Sequence, residues 1–91
     1  MLDEEQRTLL FEGVKAVLPD FDQSGAAFTP SMVISAIQKS GRFANGRVPD
    51  EHDAKAFITD VVSQHMEALP GKRQIVLLER EPEPRWEVQD A

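Results

Sequence analysis

The sequence predicts a mainly α domain of the α+β class: three helices followed by a small C-terminal antiparallel β-hairpin. Three observations carry that expectation. Apolar residues recur at helical spacing in three separate segments. A Pro70-Gly71 stop breaks the chain after the third segment. Two strand-like runs, 73–80 and 84–89, then flank the short connection Glu81-Pro82-Glu83. Ninety-one residues suit one domain spanning 1–91, and a chain of this size buries only about 60–65% of its unfolded surface, enough for one core.

The first helix is expected over 4–18. Asp3 can cap free amide groups and Gln6, three residues on, completes a capping box. Leu10, Val14, Val17 and Leu18 form the apolar stripe, Phe11 widens it, and Pro19 reads as the stop. Residues 19–28 are turn-rich, and Ala26, Ala27 and Phe28 can form a short strand. Thr29 caps the second helix and Pro30 takes its first position, where a missing N–H is harmless. Phe28 and Val33 occupy the two positions of a hydrophobic staple. Val33, Ile34, Ala36 and Ile37 face inward, and Ser40-Gly41 ends the helix.

Residues 41–49 read as a loop with a turn signal at Asn45-Gly46. The third helix is expected over 50–69, capped by Asp50. Ala54, Phe57, Ile58, Val61, Val62, His65, Met66 and Leu69 track one broad face of it. In the hairpin, a three-residue loop at 81–83 sets Arg80 opposite Pro84. Val76 and Leu78 then share a face with Val88 and Trp86, while Glu79 lies opposite Arg85. An inward Trp86 anchors the hairpin to the third helix; an outward one is an interface hot spot.

The order helix, helix, helix, hairpin resembles the winged helix, a small fold that binds DNA or other proteins, and residues 26–28 could form the short strand that winged helices place before their second helix. The likeness lies in element order. It implies that the hairpin is wing-like, and that in a DNA-binding member the third helix enters the major groove while the wing touches the backbone. Here that helix opens with Asp50, Glu51, His52 and Asp53 and carries Lys55 as its single basic residue, an unfavourable surface to set against phosphates.

Composition narrows the function classes. The apolar fraction is 41%, the charged fraction 29% and the net charge −6, which argues against general phosphate attraction. The charge is uneven: residues 1–20 and 50–69 are acidic, whereas 39–47 hold Lys39, Arg42 and Arg47 with no acid. No apolar run approaches the roughly 18 residues that span a bilayer, and the first residues are acidic rather than signal-like; a cytoplasmic protein is expected. There is no cysteine, so disulfides and thiolate metal sites are excluded.

Motifs add little chemistry. Asp20, Asp22, Ser24 and Gly25 reproduce four positions of an EF-hand calcium loop. Its twelfth position, however, is Ser31 where a bidentate glutamate is needed, and Pro30 falls inside it. Gly41, Gly46 and Arg47 lack the Lys-Ser/Thr pair and preceding strand of a phosphate-binding loop. His52 and His65 lie about 20 Å apart on one helix and share no metal. No serine has a histidine partner and no carboxylate pair stands out for acid–base work. Catalysis, cofactors and resident metals are therefore not expected.

The reading that follows is a small non-enzymatic protein-binding module, an adaptor or regulatory subunit, using its acidic third helix and the hairpin. Its candidate contacts are Lys39, Arg42, Phe43 and Arg47 of the loop, Asp50, Glu51 and Asp53 of the helix, and Arg80 and Arg85 of the hairpin. The hairpin edge could also pair two copies as a homodimer. Two alternatives stand beside it. One is a DNA-binding transcriptional or replication regulator acting through the 39–47 loop and the wing. The other is a weak calcium-binding module at 20–31.

Overall fold

The computed structural model describes residues 1–43, 47–64 and 73–90. Three helices, α1 (Glu4–Ser24), α2 (Pro30–Lys39) and α3 (Glu51–Gln64), precede strands β1 (Arg73–Glu79) and β2 (Arg85–Asp90). The α+β architecture is therefore as expected, helices first and an antiparallel hairpin last. Residues 65–72, with His65 and the Pro70-Gly71 stop, lie outside the described residues, as do residues 44–46 and the Asn45-Gly46 turn.

The helix starts follow their capping residues. The Asp3 carboxylate accepts the Gln6 N–H at 2.8 Å, and Gln6 Oε1 accepts the Asp3 N–H at 3.0 Å, the reciprocal capping box. Thr29 caps α2 by accepting the Met32 N–H, and the staple pair Phe28 and Val33 is fully buried. The expectation for the end of α1 fails. The helix runs through Pro19 to Ser24 and stops at Gly25, whose φ of 67° is left-handed and favours glycine. A proline inside a helix costs about 3 kcal/mol. Packing on both sides of it offsets that: Val17 and Leu18 are buried, and Phe21 stacks on Phe28 with ring centroids 4.8 Å apart.

The core gathers Leu10, Val14 and Leu18 of α1, Val33, Ile34 and Ile37 of α2, and Ala54, Ile58 and Val62 of α3. Each fully buried aliphatic side chain contributes about 1.5–3 kcal/mol. Gly13 lets α1 and α2 approach closely, since a Cβ there would meet the Ile37 side chain at 3.0 Å.

The hairpin departs from its expected register. Glu79 pairs with Arg85 as anticipated, but a bulge at Leu78 shifts everything beyond it, setting Leu77 opposite Trp86 and Ile75 opposite Val88. Ile75 therefore enters the core with Trp86 and Val88, while Val76 is half-buried and Leu78 is 41% exposed. The short strand at 26–28 reduces to a single bridge. Phe28 and Trp86 exchange two backbone hydrogen bonds of 2.8 Å, so β2 lies between Phe28 and β1. Trp86 faces inward, 2% exposed, with its ring 5.6 Å from that of Phe28. Among the described residues no helix is long and apolar enough to cross a membrane.

Candidate functional site

An open groove of about 430 Å³ lies between α3 and the strands. Thr59 and Ser63 of α3 form one side, and Leu77, Trp86, Arg80, Glu81 and Pro84 form the other. Ile75 carries the strand into the core, and past that point Leu77 and Leu78 come out 37% and 41% exposed. Leu77 lines the groove, and exposed Leu78 follows it in the chain as an apolar lip.

The tip of the hairpin is fixed from below. Glu83 Oε1 accepts the Ser31 N–H at 3.1 Å, and the Ser31 hydroxyl donates to both carboxylate oxygens at 3.0 and 3.1 Å. Burial pushes the Glu83 carboxyl up, but the bonds from Ser31, the charge of Lys55 and the Thr29 hydroxyl outweigh it and hold the group below its ordinary value of 4.5. The N-terminus of α2 adds its own attraction for a carboxylate.

The expected contact residues separate into three sets. In the first, Lys39, Arg42 and Arg47 are exposed, but Phe43 is not available to a partner: it is 8% exposed and belongs to the core. Phe43 and Val48 are both buried in the core, and the Val48 N–H donates to Gln38 Oε1 at 3.0 Å. Phe43 is therefore not presented at the surface alongside the exposed arginines.

The second set sits at the start of α3. The Asp50 carbonyl accepts the Ala54 N–H at 2.9 Å, which begins the helix, but the Asp50 carboxylate reaches the Asp53 N–H only at 3.5 Å. Its stronger partner is the amino group of Met1, which also lies 3.3 Å from Asp53. Hydrogen bonding from that ammonium holds the Asp50 carboxyl below its ordinary value, and the amino group is raised in turn. Two of the three acids proposed for steering are thus engaged within the chain, and Glu51 is exposed. In the third set, Arg80 lines the groove, whereas Arg85 pairs across the hairpin with Glu79.

The calcium reading depended on a loop at 20–31. Asp20, Asp22 and Ser24 instead lie on the last turns of α1, and Pro30 and Ser31 open α2. Oxygen ligands spaced for a loop diverge around a helix. Among the described residues no group of three or more His, Cys, Asp or Glu side chains is placed to hold a metal ion.

A second, shallower depression of about 450 Å³ lies between α1 and α3, with half-buried Phe11 and Phe57 at its base. Lys15 covers part of it, its Nζ 5.4 Å from the Phe11 ring centroid, so that face is partly closed by the chain's own cation.

The sequence reading missed the groove, though one signal was present. Ile75, Val76, Leu77 and Leu78 are four successive apolar residues in a strand that can bury only alternate positions. Some must emerge. Comparison with protein-family models, curated proteins and solved structures finds no match.

Proposed function

We propose that this chain is a small non-enzymatic protein-binding module of winged-helix-like organisation, engaging its partner through the groove between α3 and the hairpin. The observation that carries this reading is the exposure of Leu77 in a groove that Trp86 also lines, with exposed Leu78 next to it in the chain. Aromatic and aliphatic anchors beside one arginine, Arg80, suit an apolar partner side chain with a polar rim. The order of elements, and the Phe28–Trp86 bridge that places a short strand beside β2, support the likeness to the winged helix. Docking by side chains fits better than strand addition or pairing of two copies, because the bulge at Leu78 interrupts the edge of β1.

A second reading, binding of DNA through the 39–47 loop and the wing, is favoured by the exposure of Lys39, Arg42 and Arg47. One titration separates the two. Fluorescence anisotropy of labelled random-sequence duplex DNA should stay flat at low and at physiological salt. Salt-sensitive binding that Arg42→Glu and Arg47→Glu abolish would replace the protein-binding reading with the DNA-binding one.

A further inference from the structure

We propose that Glu83 is a latch: it fixes the hairpin loop on the N-terminus of α2 and thereby sets one wall of the α3–hairpin groove. The contact joins residues 52 apart in the chain. Thr29 satisfies the Met32 N–H, and Glu83 takes the neighbouring Ser31 N–H. Two of the amide donors left open at the start of a helix thus receive acceptors from different parts of the fold. The Ser31 hydroxyl shares its one proton between both oxygens of the same carboxylate. Glu83 sits inside the stretch that supplies Arg80, Glu81 and Pro84 to the groove, so the carboxylate positions that wall without lining it.

The surroundings make the latch sensitive to protonation. Lys55 of α3 is the charged group that acts on Glu83 from the opposing helix, and α2 presents Ser31 and Thr29. From its own loop the nearby charges are Arg80 and Glu81. Glu79 is paired with Arg85. A neutral Glu83 carboxyl keeps weaker bonds to Ser31 and loses both the attraction of Lys55 and that of the helix terminus. The wall is then held only through the strands. The consequence for binding rests on reading the groove as the partner site. The latch itself can be read on the free chain, so either can fail alone.

The test uses Trp86, the sole tryptophan, which lines the groove and is almost fully buried. Acrylamide quenching of the intact chain is followed from neutral pH to about pH 3, below the ordinary glutamate range, together with helical circular dichroism. Quenching should rise on acidification while the helical signal holds. In Glu83→Gln it should already be raised at neutral pH and should not depend on pH. Ser31→Ala, which keeps the backbone donor, should fall between the two. A Glu83→Gln profile that overlays the wild type would overturn the proposal, and so would quenching that rises only as the helical signal is lost. Should Glu83→Gln fail to fold, the Ser31 amide resonance of the wild type decides. A shift with the same pH midpoint as the quenching supports the latch, and a different midpoint or no shift overturns it.

Discussion

The contact between α1 and α2 and the contact between α3 and the hairpin are opposite solutions to packing. At the first, Gly13 lets Ile37 pack close against the backbone of α1, where an added Cβ would lie only 3.0 Å from the Ile37 side chain. At the second, helix and strands leave a groove of about 430 Å³ lined by Leu77 and Trp86, and Leu78 at the bulge is 41% exposed. The first arrangement specifies the fold. The second holds surface that folding does not use, and it is there that binding to another molecule can be added without loss of stability.

Substitutions should therefore act very differently in the two regions. The largest effect is expected at the pivot joining them. Phe28 is fully buried, stacks on Phe21 and bridges to Trp86, so Phe28→Ala should lower stability by about 3–5 kcal/mol in denaturant unfolding. That is a large part of the roughly 5–15 kcal/mol available to a domain. Next comes Gly13→Val, which forces a branched side chain into Ile37 and should cost about 1–3 kcal/mol or more. The gain in helix propensity over glycine returns less than about 1 kcal/mol of this. Neutral stability in Gly13→Val would show that the α1–α2 contact can relax and would weaken the contrast.

The lip should behave otherwise. Leu77→Asp with Leu78→Asp should alter thermal stability little, within about 0.5 kcal/mol per surface site, while removing partner binding. A marked loss of stability would mean that the leucines serve the core after all.

A smaller effect concerns pH. The Glu83 carboxyl is depressed in the folded chain, so its contribution is present above its ordinary value of 4.5 and is lost as pH falls through the lower folded value. The stability difference between wild type and Glu83→Gln should narrow below pH 4.5; a constant difference down to acid pH would contradict the assignment. The smallest effect is expected for the exposed Arg85–Glu79 pair, where Glu79→Gln should change stability by less than about 1 kcal/mol.

The same contrast explains what could be read from the sequence. Local punctuation was legible: Asp3 with Gln6, Thr29 before Pro30 and the staple of Phe28 with Val33 all act within a few residues, and each stands where it was expected. Features set by distant contacts were not. Pro19 reads as a stop because helix propensity is local, yet Phe21 beyond it is held in the helix by Phe28. The hairpin register was sound at Glu79 and Arg85 beside the turn, then failed at Leu78, because only the demand of the core for Ile75 dictates the bulge. Phe43 reads as a contact residue because it lies between arginines, yet its side chain is buried in the core. The groove brings together α3 and the hairpin, far apart in sequence, so the apolar run at 75–78 hints at it without locating it.

The central claim, that the α3–hairpin lip is a protein-binding surface, is tested most directly by site-specific photocrosslinking. A photoreactive residue is placed at Leu78 of the intact chain and, as a control, at exposed Ala16 of α1, and adducts formed in cell extract are identified. The account predicts a defined protein adduct from position 78 that position 16 does not give and that Leu77→Asp suppresses. The same adducts from both positions, or none from position 78, would contradict it.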